Sequence, residues 1–300
     1  MVAGYVLCRM VIGSASRIPI TEEQYNDLRL AIQTLIHLCE VEEKYTALIE
    51  NYFELELTLL QEALRAMVFS DHNDVESQAP KHLASRRLIN FLTSARLFVD
   101  SLPQHAALLL TGDDLEKVKK APSVAYDSSL GYRVMEALRN YSQHQSLPVH
   151  SWTVHARWNE EVEPRQLGFS VEPALDIETL STSSKFKKAV LNELQKNPSA
   201  LKLKPHIREY VELLSAMQEA FRSATAKSRD TYVKYIAVAQ AGFFNKFPES
   251  IVGLAALPVD ERGLRAGEPV YLTGPVINYL TYLQRRTNEM VNYSQRCVVY

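Results

Sequence analysis

Residues 21–69 read TEEQYNDLRLAIQTLIHLCEVEEKYTALIENYFELELTLLQEALRAMVF, a stretch with no glycine and no proline. Leu28, Ile32, Leu35, Ile36 and Cys39 recur at three- and four-residue steps, and so do Leu48, Tyr52, Leu55, Leu59 and Leu60. That is the period of an apolar stripe on an α-helix. Thr21 and Gln24 have the spacing of a capping box, in which each side chain satisfies the other's backbone N–H. The pattern predicts one long helix, or two with a break between Glu40 and Lys44. Ser70 to Asp74 reads as a polar turn that ends it.

Outward from this stretch, helices dominate. Upstream, Gly4 to Gly13 is rich in Val, Leu, Ile and Tyr, and residues 1–20 read as an extended arm. Downstream, a second helix is expected from Gln78 or Pro80 to Ser101, closed by Pro103. Gly112 to Pro122 reads as a loop whose charged run, Asp113 to Lys120, is a short solvated helix. Ser128 or Ser129 can cap a third helix reaching Gln145, with Pro148 marking its end. Val149 to Trp158 alternates and Gly168 to Ile177 is extended, which suggests a hairpin. Helices return at 184–195, 205–240 and 275–290, with an extended piece at 270–273. The expected fold class is mainly α: a helical bundle over 21–148, then a mixed, helix-rich α+β part over 149–300.

Composition limits the function. The 300 residues are 46% hydrophobic and 23% charged, ordinary for a globular chain with a sizeable core. Lys plus Arg is 33 and Asp plus Glu is 35, so the net charge is −2 and polyanion binding needs a local patch. Cys8, Cys39 and Cys297 form no Cys-x-x-Cys pair, which argues for a reducing compartment and against structural zinc. Arg9 breaks the first apolar run and no basic leader precedes it, so neither a signal peptide nor a membrane span is expected. The expected location is cytoplasmic.

Chemistry concentrates in the third helix, Arg133-Val-Met-Glu136-Ala-Leu-Arg139-Asn140-Tyr-Ser-Gln-His144. Glu136, Asn140 and His144 fall at i, i+4 and i+8 on one face, flanked by Arg133 and Arg139. Imidazoles exchange protons near neutrality, and a guanidinium matches phosphate oxygens bidentately. Arg139-Asn140-x-x-x-His144 resembles the signature of the HEPN superfamily, in which an Arg, with Asn favoured directly after it, is separated from a His by four to six residues. The resemblance covers about residues 21–147.

Members of that superfamily are helical bundles, many of them metal-independent endoribonucleases of toxin–antitoxin, phage-defence and CRISPR-associated systems; others are catalytically silent binding modules. The resemblance implies an RNA substrate, a homodimer with a composite site, an antitoxin or regulatory partner, and no cofactor or metal. It makes Arg139 the phosphate ligand, His144 the general acid/base and Asn140 the positioning group. Ser146 stands where a toxin branch carries a modified Tyr, so partnership with a nucleotidyltransferase antitoxin is not supported.

Arg133, Glu136, Arg87 and Asn90 are candidate substrate contacts, and Asp100 could join them on the second helix. Further candidates are weaker. Lys185, Lys187, Lys188, Lys202 and Lys204 form a basic cluster that could hold an RNA backbone. Trp152 and Trp158 share a strand face and could stack bases or pack in a core. His150 and His155 lie an odd number apart, on opposite faces, so they make no metal pair. No phosphate-binding Gly loop, Gly-x-Ser-x-Gly elbow or His-Glu-x-x-His occurs, which removes those hydrolase classes. A non-catalytic module that binds RNA or protein through the same bundle is the alternative.

Overall fold

The structure, a computed structural model, describes residues 2–69, 78–161, 163–248, 251–287, 292–296 and 298. The polar turn expected at Ser70–Asp74, and Cys297, lie outside the described residues. Two strands open the chain, β1 (Gly4–Arg9) and β2 (Arg17–Ile20), followed by α1 (Glu22–Val68), α2 (Gln78–Leu109), α3 (Gly112–Ser128) and α4 (Leu130–His144). Then come β3 (Ser151–Asn159), β4 (Gln166–Ala174), α5 (Ile177–Ser181), α6 (Lys188–Gln195) and α7 (Leu203–Lys246). The chain closes with β5 (Leu254–Val259), β6 (Val270–Tyr271) and α8 (Val276–Arg286). The protein is mainly α-helical, and among the described residues no helix is long and apolar enough to cross a membrane.

α1 is one uninterrupted helix, with no break at Glu40–Lys44. Its capping box is formed: Gln24 N–H donates to Thr21 Oγ1 at 3.1 Å and Thr21 N–H to Gln24 Oε1 at 2.9 Å. Two proline readings are corrected. α2 continues through Pro103 to Leu109, and the segment around Pro122, read as loop, lies inside α3. A proline costs a helix one hydrogen bond and a steric clash. Leu102 and Ala106 stay buried on either side of Pro103, as do Val118 and Ala125 around Pro122, and this burial outweighs that cost.

The chain forms two compact units. The first comprises residues 1–43, 105–111 and 221–288. It holds an antiparallel sheet of order β2-β1-β5-β6, in which Val6 pairs with both Pro19 and Leu257 and Ala255 pairs with Tyr271. Residues 1–20, read as an arm, supply two of those strands. Cys8, Leu257 and Val259 pack together on the sheet with Val6.

The second unit comprises residues 44–104, 112–220 and 289–300. Its core joins helices through aromatic contacts: Tyr45 meets Phe98 at 5.5 Å, Phe91 meets Tyr210 edge-on at 5.9 Å, and Tyr132 meets Tyr210 at 4.9 Å. β3 and β4 pair antiparallel over their full length, as the alternation predicts, with Ser151 opposite Ala174 and Asn159 opposite Gln166. Residues 21–148 and 149–300, set apart in the sequence reading, each contribute to both units.

α4, which carries the motif, starts at the cap Ser129. Its Oγ accepts the Tyr132 N–H at 2.9 Å and donates to Glu209 at 2.6 Å. Replacing Ser129 with Ala removes a buried cap and should lower stability by about 1–2 kcal/mol, read as a shift of the urea midpoint without loss of helix content. An unchanged midpoint would mean that the cap does not hold this helix in place.

Candidate functional site

Tyr132, Val134, Met135, Leu138 and Tyr141 are buried, fixing the rotation of α4 about its axis. That rotation leaves Arg133, Glu136, Arg139 and Asn140 half-buried and His144 exposed at the last residue of the helix.

Glu136 sits among donors. Its Oε1 accepts the Tyr210 hydroxyl at 2.6 Å, while Oε2 lies 3.5 Å from Arg96 Nη1 and 4.0 Å from Arg139 Nε. Arg96 also pairs with Asp100 at 2.6 Å, so Asp100, Arg96, Glu136 and Arg139 form a row of alternating charge. Burial, reinforced by the Glu136 carboxylate, raises the Tyr210 phenol well above its usual pKa, which keeps it a hydrogen-bond donor.

Arg139 Nη1 donates to Gln143 Oε1 at 3.2 Å. Its buried Nε makes no hydrogen bond among the described residues and faces the Glu136 carboxylate. The Asn140 amide donates to the Lys185 carbonyl at 2.6 Å and ties down the chain ahead of α6. Arg133 and Arg87 are drawn into the scaffold. Arg133 donates to the Tyr126 and Asp127 carbonyls at 2.9 and 3.2 Å, at the end of α3, and to Glu193 at 2.7 Å. Arg87 pairs with Glu54, and Asn90 is exposed on α2. In the basic cluster Lys187 stacks over Tyr126 at 4.7 Å and Lys202 lies 3.9 Å from Glu172. Trp158 is 61% exposed, so it is not a core residue.

A cleft of about 470 Å³ opens just past the end of α4. Ser146, His150, Ser151 and Asp176 line it together with Lys81 and His82 at the start of α2. The sequence reading did not assign Lys81 or His82 to a site, because they lie some sixty residues before the motif; their cationic and imidazole character was the available signal. His150 Nδ1 accepts the Asp176 N–H at 3.2 Å, and its Nε2 is 3.3 Å from the Tyr141 hydroxyl. Accepting at Nδ1 leaves the proton of the neutral ring on Nε2.

Burial, with help from the Lys81 cation and against the pull of Asp176, holds the His150 pKa below its usual value. Below the unfolded pKa of about 6.5 the unfolded chain takes up a proton here before the folded one does. The His150 contribution is therefore complete above that pH and is lost as pH falls through the lower folded pKa. Urea midpoints should drop between about pH 7.5 and about pH 5, and less steeply in His150→Asn, which keeps an acceptor for Asp176. Equal slopes in the two proteins would remove His150 as the source.

Comparisons with protein-family models, curated proteins and solved structures return no match. One more cluster lies in the first unit: His37 and Glu40 on α1 with His105 on α2, a set able to hold a metal ion. The sequence reading assigns no metal ligands. The sequence alone does not disclose this set, because His105 is remote in the chain and Glu40 falls where the pattern allows a helix break.

Proposed function

We propose that this chain is an endoribonuclease of the type its α4 motif resembles, cleaving RNA without a metal at the exposed end of α4. What carries the reading is Arg139, a half-buried guanidinium that donates to Gln143 of its own helix, one and a half turns before an exposed His144 and close in sequence to a polar cleft. In the reaction, an imidazole removes the ribose 2′-OH proton and the 2′ oxygen attacks the adjacent phosphorus. The P–O5′ bond breaks, and a general acid protonates the departing 5′ oxygen. The products are a 2′,3′-cyclic phosphate and a 5′-hydroxyl end. Arg139 would stabilise the charge gathering on the phosphoryl oxygens. Lys81 and His82 would hold the neighbouring nucleotide in the cleft.

One chain offers a single motif His. A homodimer with two α4 helices face to face would provide one imidazole as base and one as acid. A cytoplasmic toxin or antiviral setting, with a protein that restrains the enzyme, fits such an activity. A second reading, an RNA-binding module without cleavage, is favoured by the Asn140 amide, which is spent on the Lys185 carbonyl.

The test is to incubate purified protein with mixed RNA in EDTA and identify the ends formed. Cyclic-phosphate ends produced by wild type and not by His144→Ala support the nuclease. Intact RNA, or equal cutting by the variant, rejects it; RNA retained on the protein without cleavage selects the binding module.

A further inference from the structure

We propose that His37, Glu40 and His105 form a site for one divalent transition-metal ion of the zinc class, an inference independent of the nuclease reading. α1 places His37 and Glu40 at i and i+3, on one face and one turn apart. α2 brings the His105 ring to the same carboxylate, and all three residues belong to the first unit. Glu40 Oε2 lies 3.0 Å from His37 Nδ1 and 3.5 Å from His105 Nδ1. One ligand atom from each residue lies within 4.8 Å of the other two.

A tetrahedral ion bound at about 2.0–2.2 Å separates its ligand atoms by about 3.3–3.5 Å. The two carboxylate–imidazole distances already bracket that separation. The third can reach it by side-chain rotation, since the rings are 5.9 Å apart and tilted by 57°.

The donor set selects the ion. Two imidazole nitrogens and one carboxylate oxygen suit zinc, cobalt, nickel or ferrous iron, whereas calcium and magnesium call for oxygen donors throughout. Cys39 is next to Glu40 in sequence, but its thiol faces the Val276 carbonyl at 3.7 Å and is not part of the set. Side-chain exposure grades across the cluster, from 13% at His105 to 35% at His37 and 42% at Glu40. The ion would therefore have one closed side and one open side, leaving a position for water or an incoming ligand, as in three-ligand sites. Two neutral imidazoles and a carboxylate sum to −1, which a divalent ion turns into +1 without any further protein charge.

The test uses the untagged full chain, stripped with EDTA, dialysed, and titrated with Zn²⁺ by calorimetry and with Co²⁺ by visible absorption. The expected result is one ion per chain and cobalt d–d bands. His37→Ala and His105→Ala should each weaken binding by about 100-fold or more, at least the cost of disturbing an outer-shell partner. Glu40→Gln, at the open side, keeps the shape and removes the charge, and should also weaken binding. His155→Ala, on β3, should bind as wild type does. Circular dichroism of each variant separates lost ligation from lost fold. Absence of saturable binding up to about 100 μM Zn²⁺, or unchanged affinity in folded His105→Ala, overturns the site and leaves the cluster a hydrogen-bonded ion pair.

Discussion

Replacing Glu42 with Ala is expected to cost about 3–5 kcal/mol of stability, the magnitude for breaking a buried ion pair from one side. The cost arises in the first unit. Glu42, on α1, is 2% exposed, and Arg222, on α7, is 11% exposed. The two join through both carboxylate oxygens, at 2.8 Å from Arg222 Nε and 2.6 Å from Nη2. Arg222 also donates to Thr287 Oγ1 at 2.7 Å and to its carbonyl at 3.3 Å, while Gln284 on α8 donates to Glu42 at 3.2 Å. The network thus fixes three helices to one another.

Removing the carboxylate leaves a buried guanidinium stripped of its bidentate partner, and the desolvation no longer offset by that pairing is the larger part of the loss. At about 2 °C per kcal/mol for a chain this long, the melting temperature should fall by about 6–10 °C. The double variant Glu42→Leu/Arg222→Met removes both charges and should recover most of the loss, because apolar replacements of similar volume often match a buried pair. A single-variant cost below about 1 kcal/mol would place the pair among exposed ones, contradicting its burial.

This network illustrates what the sequence could and could not disclose. Local, repeating signals were legible. The stripe from Leu28 to Leu60 gives α1, the Thr21–Gln24 spacing gives its cap, and the alternation of residues 149–158 gives β3. Each depends on neighbours within one or two turns, where backbone geometry alone decides contact. Glu42 and Arg222 are 180 residues apart, so nothing in either neighbourhood reveals the pair. His105 escaped for the same reason.

Pro103 and Pro122 misled in the opposite direction. Proline locally opposes a helix, but burial of Leu102, Ala106, Val118 and Ala125 overrides that preference. At the candidate site, the row Arg133, Glu136, Arg139, Asn140 was legible as polar residues on one helix. Their partners (the Tyr126 carbonyl, Tyr210, Gln143 and the Lys185 carbonyl) lie on other elements in three of four cases, so the division of labour was not.

That division makes the activity prediction specific. His144 is exposed at the end of α4, so His144→Ala should change stability by no more than about 0.5 kcal/mol. Loss of a general acid/base should nevertheless lower the RNA-cleavage rate by about 10²- to 10⁴-fold. Arg139→Ala should lower it by about 10²- to 10³-fold, through lost stabilisation of the transition-state phosphoryl oxygens. Arg139→Lys should restore little, because an ammonium on a flexible stem cannot present the paired donors of a guanidinium. Asn140→Ala should behave differently. It leaves the Lys185 carbonyl without its amide and frees the chain before α6, so stability and rate should fall together. Single-turnover rates and urea midpoints measured on the same four variants therefore separate chemistry from scaffold. Cleavage by His144→Ala at the wild-type rate would remove the α4 motif from the reaction. A wild type that binds RNA without cutting it, and releases it on Lys81→Ala, would assign the cleft to recognition alone.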